Sequence, residues 1–241
     1  MGLVLRIKKV ATVALSGRHV YHLVSHGVLA GVEHRAVLSS DLASVVDIGA
    51  NLGQFSLAVR EYAPLARIIS FEPLPDAAAT FRKVFAGEPM VTLHEVAIGP
   101  EGGNTTIHVA AASDSSSLLP MALQTSLFPG SREIGTARIR VARLAECLKG
   151  EEIRQPALLK LDVQGYELQA LRGCEDLLDR FARIYAECSF VELYRGQALA
   201  DEVVAWLRER NFFLRGVYNV FHDSNGKAVQ GDFLFEAGHP R

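Results

Sequence analysis

The sequence predicts an α/β fold, a seven-stranded, mostly parallel sheet with helices on both faces, led by an N-terminal helical extension. Three observations predict it. Apolar strand-like runs alternate with helix-period segments through most of the chain, the rhythm of strands joined by crossover helices. The first such run, Val45-Val46-Asp47-Ile48, stops at the small-residue turn Gly49-Ala50-Asn51-Leu52-Gly53 and passes into a helical pattern. Strand, glycine turn and helix in that order mark the place where open α/β sheets bind ligands. The last two runs, Phe212–Val220 and Gly231–Glu236, are joined through Asp223-Ser224-Asn225-Gly226. That is a hairpin turn in place of a helix, so one late strand runs antiparallel.

At 241 residues the chain fits one large α/β domain. We place the extension over residues 1–40 and the domain over 41–241, with an inserted hairpin at about 99–141. Apolar content of 49% and charge of 22% are those of an ordinary globule. A net charge of −2 offers no excess of cations to a nucleic acid. Cys147, Cys174 and Cys188 are too scattered for a CxxC site, which points to a reduced, cytoplasmic compartment. No apolar run reaches the ~18 residues of a membrane span. Arg6, Lys8 and Lys9 before Val10–Leu15 superficially resemble a signal peptide, but that apolar core is short and ends at Ser16-Gly17-Arg18-His19.

Residues 3–38 read as one or two helices, with Val10, Val13, Ala14 and Gly17, then Val20, Leu23, Val24 and Val28, at helical spacing. His19, His22 and His26 share a face that could hold a metal. No acid or cysteine joins them, so a solvated or partner-facing stripe is preferred and no metal is assigned. This basic amphipathic start also suits a membrane surface or a second subunit, making a homo-oligomer possible through the N-terminal helices. Phe55–Tyr62 form a helix stopped by Pro64, and Ile68–Phe71 a strand ending in Glu72-Pro73. Pro75–Phe85 is a helix, with Pro75 in its first turn, and Val91–Ile98 a third strand. Residues 99–141 break the rhythm with strands at Thr105–Ala110 and Ala137–Val141 around polar and Pro/Gly-punctuated loops, and such a loop could fold over cofactor and substrate. Ala157–Leu161, Arg183–Cys188 and the helix Ala198–Arg210 then restore it.

The turn's spacing points to a cofactor. A dinucleotide site would read G-x-G-x-x-G, whereas this one reads Asp47-x-Gly49-x-x-x-Gly53. An acid just before the turn would repel a pyrophosphate and suit a ligand with a positive amino group. The segment resembles the first motif of class I methyltransferases dependent on S-adenosylmethionine (SAM). Gly49, Ala50, Asn51, Gly53 and Gln54 then become candidate cofactor contacts beside Asp47. Glu72, 19 residues past Gly53, suits the ribose hydroxyls, with Pro73 beside it. Glu95, Val96 and Ala97, at the end of the third strand, are expected over the adenine.

The run Lys160-Leu161-Asp162-Val163-Gln164-Gly165-Tyr166-Glu167, followed by Leu171-Arg172-Gly173, looks like the "K-x-D-x-E-G-x-E" and "L-x-G" of the FkbM family of SAM-dependent methyltransferases. The family's "D-x-G-A-N-x-G", "E-P" and "A-x-G" followed by a Gly turn match Asp47–Gly53, Glu72-Pro73 and Ala97–Gly103 in turn. Two departures stand out: Gln164 where an acid is usual, and Arg143-Leu144-Ala145-Glu146 in place of the commoner "T-L-D". The resemblance covers roughly residues 44–210. It implies a Rossmann-like fold and O-methylation of a small hydroxylated metabolite or sugar-containing molecule, with SAM as methyl donor.

A hydroxyl acceptor needs a base. Asp162, ending its strand beside the glycine turn, is the candidate, or else a capping acid or one that binds the SAM ammonium. Glu187, at the next strand's end, could join it around the acceptor or a divalent metal. Glu167 reads as a helix-dipole acid and Lys160 as a partly buried partner of an acid. An NAD-dependent oxidoreductase is disfavoured by the missing Gly-x-Gly and the absence of a Tyr-x-x-x-Lys pair. A non-catalytic SAM-binding module is the third reading.

Overall fold

A computed structural model describes residues 17–238; the expectations for residues 1–16, including the helical pattern through Val10 and Val13, lie outside them. The main sheet contains β1 (Ser44–Ile48), β2 (Arg67–Phe71), β3 (Val91–His94), β7 (Ala157–Leu161), β8 (Arg183–Ser189), β9 (Phe212–His222) and β10 (Ala228–Ala237). Its order is β3-β2-β1-β7-β8-β10-β9. The first five of these strands are mutually parallel, and β10 runs antiparallel to both β8 and β9. The β9–β10 turn is closed by Asp223, whose backbone N–H donates to the Lys227 carbonyl and whose carbonyl accepts from Gly226.

Every residue of β1 and β7 is buried, and the period-two alternation of a strand sorts them onto two faces. Val46, Ile48, Leu159, Leu161, Ile184 and Ala186 form one core with residues of α4 (Glu167–Gly173) and α5 (Ala200–Arg208). Val45, Ile68, Leu158 and Tyr185 form the other with Phe55, Ala58 and Val59 of α2 (Gln54–Tyr62). Each such aliphatic side chain contributes roughly 1.5–3 kcal/mol on full burial, which makes the central strands the anchor for everything at their carboxyl ends. In α3 (Pro75–Val84), Pro75 occupies the first turn, where its missing N–H costs nothing.

Three expectations change. The strand expected over Val91–Ile98 divides: β3 pairs with β2, and after Glu95 and Val96 the chain enters a second, three-stranded sheet as β4 (Ala97–Ile98). Its partners are β5 (Gly103–Ala110) and β6 (Glu133–Ala142), ordered β4-β6-β5, so residues 99–141 build a sheet of their own around a hairpin. The division follows from burial, because Ala97 and Ile98 are covered by Val141 and Ala142 beneath the insert.

The described part of the N-terminal extension, residues 17–40, packs into the domain. Helix α1 (Gly17–His26) leads to a 3-10 turn, Val32–Val37, and Val28, Ala30 and Val32 are buried with Leu57, Phe81 and Val84 in the domain's own core. Lastly, the face of α1 that carries His19 is not solvated: His19 is 1% exposed, 3.8 Å from Glu61 of α2. Among the described residues no group of three or more His, Cys, Asp or Glu could hold a metal ion, and no helix is long and apolar enough to cross a membrane.

Candidate active site

A cavity opens at the carboxyl ends of β1, β2 and β7, where the crossovers diverge. Its floor is the turn after β1. Gly49 has φ +77°, and a Cβ there would sit 1.9 Å from the Asp162 carbonyl oxygen, so only glycine lets the two strand ends come this close. Asn51, also left-handed at φ 47°, donates its backbone N–H to Glu72 Oε2 at 2.9 Å, and Leu74 N–H donates to Glu72 Oε1 at 2.8 Å. Each carboxylate oxygen therefore keeps a lone pair for a ligand. Glu72 is 6% exposed, and desolvation pushes its carboxyl up to about 7 against those two backbone hydrogen bonds. Ala50, Gln54, Pro73, Val96 and Ala97 join Gly49, Asn51 and Glu72 in the cavity wall.

Three residues expected at the cofactor lie elsewhere. Asp47 is fully buried behind the turn, where it accepts from Ser56 Oγ at 2.8 Å and pairs with Lys160 Nζ at 3.0 Å. A strand side chain on the helix-covered face cannot reach the cavity, and Lys160 neutralises it. Gly53, at φ +96°, faces Phe81 and Phe85, its own Cβ position lying 2.6 Å from the Phe85 ring; it is the N-cap of α2 and not part of the wall. Glu95 turns outward into an ion pair with Arg82.

The opposite wall is acidic. Asp162 lines the cavity with its side chain 40% exposed. Desolvation raises its carboxyl, opposed by Lys160, whose Nζ is 3.9 Å from Oδ2. Burial alone would lower the Lys160 ammonium; the Asp47 and Asp162 carboxylates raise it instead, so it stays charged. Gln164 donates from Nε2 to both Asp162 Oδ1 (2.7 Å) and Glu187 Oε2 (3.0 Å), and Gln230 Nε2 donates to Glu187 Oε1 at 2.7 Å. Glu187 therefore stands behind Gln164, outside the cavity wall. Its carboxyl is held well above the usual range by burial and by Asp162. Glu167 caps the turn, accepting from Val163 and Gly165 N–H at 3.0 and 3.2 Å, a closer role than a dipole contact.

One wall segment escaped the sequence reading, and a second is the insert loop expected over the cavity. Gly31, Glu33 and His34 come from the 3-10 turn, with Gly31 N–H donating to the Gln54 carbonyl at 2.8 Å. His34 Nδ1 lies 3.1 Å from Tyr185 Oη, which donates to Asp232 Oδ2 at 2.9 Å. No spacing links these residues in sequence. The insert supplies Ser113, Asp114 and Ser116–Leu118 as a cover. It is pinned by Ser117 Oγ donating to the Gln164 carbonyl (2.6 Å) and by the Tyr194 hydroxyl, 3.0 Å from the Ser115 carbonyl and 2.9 Å from Gln164 Oε1.

A family model, the methyltransferase FkbM domain, matches residues 47–214. The 2-O-methyltransferase NoeI of Sinorhizobium fredii is 29% identical over 160 residues, covering 64% of this chain and 66% of that protein. Methyltransferase 1 of Beauveria bassiana is 29% identical over 153 residues, covering 56% and 60%. The chain thus spans somewhat under two thirds of these curated relatives. A solved structure of a candidate tRNA (m1A22) methyltransferase from Streptococcus pneumoniae, in complex with S-adenosyl-L-methionine, superposes with a TM-score of 0.51 at 12% identity, covering 87% of this chain and 73% of that one. That likeness shows a class I methyltransferase fold. With the family model matched over most of its length and the matching motifs gathered around one cavity, the chain belongs to the methyltransferase FkbM domain family.

Proposed function

We propose that the protein is a SAM-dependent O-methyltransferase acting on a small hydroxylated acceptor, sugar-containing molecules included. The carrying observation is one cavity with Glu72 held by backbone donors at one end and Asp162 at the other. The donor set fits the cofactor. Gly49 leaves room at the floor, Glu72 offers two lone pairs to a diol, and Asn51 Oδ1 is buried with no hydrogen-bond partner. The 2-O-methyltransferase among the relatives supports an oxygen acceptor. SAM supplies an electrophilic methyl group on a sulfonium. Gly49, Ala50, Asn51, Gln54, Glu72, Pro73, Val96 and Ala97 bind and orient it, and the 113–118 cover excludes water. Alignment of this kind can supply ~7–11 kcal/mol of the barrier.

Asp162 takes the acceptor's proton, since its carboxyl is raised by desolvation and points into the cavity. Gln164 fixes the rotamer of Asp162, and Glu187 acts through Gln164 as a positioning residue. The free thiols Cys147, Cys174 and Cys188 are consistent with a reduced, cytoplasmic setting. Titration calorimetry with SAM, S-adenosylhomocysteine and NAD, followed by methyl-labelling of hydroxylated metabolites, tests the reading. SAM binding with label transfer is expected. Preference for NAD refutes it, and SAM binding without transfer to any acceptor favours a non-catalytic module.

A further inference from the structure

His34 is packed into the cavity wall from three sides. Its ring meets Phe55 and Tyr185 edge-on, at 5.3 and 5.6 Å between centroids, and Phe55 lines the same cavity. The third side is Gly31, where a Cβ would stand 2.9 Å from the ring's Cδ2. The partners of the ring fix its tautomer. Tyr185 has one hydroxyl proton and gives it to Asp232 Oδ2 at 2.9 Å, the carboxylate being the stronger acceptor. The Tyr185 oxygen, 3.1 Å from His34 Nδ1, is left to accept, so Nδ1 carries the proton. Asp232 Oδ2, 3.6 Å from the same nitrogen, favours a proton there too.

A neutral imidazole protonated at Nδ1 has a bare lone pair at Nε2. Among the described residues nothing donates to it, and the Glu33 carboxylate, 3.8 Å away, has no proton to offer. Strand order says which ligand it faces. Along β2-β1-β7-β8-β10, Glu72 follows β2, Asp162 follows β7, and His34 reaches residues of β8 and β10. His34 thus stands beyond Asp162 from the ribose contact, on the acceptor's side. We propose that His34 binds the acceptor, its Nε2 accepting a hydrogen bond from a second hydroxyl beside the one Asp162 deprotonates, so that the acceptor is a polyol such as a sugar ring. This rests on the O-methyltransferase reading. A neutral acceptor also fits the charge: the described wall contains Lys160 and no arginine, and Lys160 is held by Asp47 and the Gly49 carbonyl. A phosphate or carboxylate on the acceptor would find no cation there.

Two substitutions separate the ring nitrogens. Asparagine reaches as far as Nδ1 and keeps a donor for Tyr185, with nothing at Nε2. Glutamine reaches as far as Nε2 and offers a carbonyl oxygen there. The probe is a pool of hydroxylated metabolites at low concentration, with methyl-labelled SAM and the full chain. His34→Asn should lower label transfer about tenfold with SAM affinity in calorimetry unchanged, and His34→Gln should recover most of it. In the wild type, label should enter polyols, and long-range proton–nitrogen NMR spectra of the S-adenosylhomocysteine complex should show His34 protonated at Nδ1. A proton on Nε2 overturns the proposal, and so does full transfer by His34→Asn. Equal losses in both variants overturn it by making the ring structural, and weaker SAM binding in His34→Asn does so by moving the residue to the cofactor. Label confined to monohydroxylated members overturns the polyol. Absence of transfer by the wild type refutes the O-methyltransferase reading and this proposal together, whereas the other outcomes strike the role of His34 alone.

Discussion

Glu72 and Asp162 face each other across one cavity but are held by different means. Glu72 is fixed by two backbone N–H groups from the turns after β1 and β2. Asp162 and its neighbour Glu187 are fixed by the side-chain amides of Gln164 and Gln230. Backbone donors come with the fold and survive most substitutions, which suits the end proposed for the cofactor. A side-chain network can be rewired by a single substitution, which suits the end proposed for a variable acceptor. Gln164 is such a rewiring. An acid in its place would bring a third carboxylate against Asp162 and Glu187 with no donor between them, whereas the amide gives one N–H to each.

Lys160 joins the two ends, touching Gly49 O at 2.9 Å, Asp47 at 3.0 Å and Asp162 at 3.9 Å. Lys160→Ala should therefore erase the difference between them. It leaves Asp47 as a buried charge with Ser56 as its remaining donor, and unfolding in urea should show a loss of about 3–5 kcal/mol. A loss below about 1 kcal/mol would mean that the pair is dispensable.

Asp162→Asn separates the ends. It keeps the shape but cannot accept a proton, so turnover should fall by roughly 10²–10⁴-fold while SAM affinity holds. Weaker SAM binding, with turnover recovering at saturating SAM, would instead assign Asp162 to the ammonium. Steady-state rates with SAM varied distinguish the outcomes.

Glu72→Gln acts at the other end and should weaken SAM binding by about 1.5–3 kcal/mol. Because the Glu72 carboxyl is raised from 4.5 to about 7, its ionised, accepting form grows as pH rises through 7. SAM affinity in calorimetry should rise over that range and become flat in Glu72→Gln. Stability of the unliganded protein moves the other way. The folded state holds a proton that the unfolded chain releases above 4.5, so this contribution is present at low pH and lost as pH rises towards 7. Glu167, also raised to about 7, adds to the same trend, and Glu72→Gln should reduce its slope without removing it.

The smallest effect is expected from Tyr194→Phe, which removes the hydroxyl holding Ser115 and Gln164. Loss of about 0.5–1.5 kcal/mol in thermal unfolding is expected, together with faster hydrogen exchange confined to residues 113–118. Unchanged exchange there would mean that Ser117 pins the cover alone.

The sequence by itself determined the local features. An apolar run, a glycine turn and a helical period are set by near neighbours, so β1, its turn and α2 were legible, as were the positions of Glu72 and Asp162 at strand ends facing one cavity and the antiparallel β9–β10 hairpin. Side-chain direction and long-range pairing were decided only by the tertiary structure. Asp47 reads as a ligand-facing acid until the sheet places Lys160 opposite it in register. Glu95 reads as a cavity residue until the third strand divides and the insert claims Ala97 and Ile98. His34, Tyr185 and Asp232 meet across up to 198 positions of chain, and α1 reads as an ordinary amphipathic helix in the sequence. Which of its faces meets the protein depends on what α2 and α3 offer it, and burial against a distant element leaves no period in the sequence.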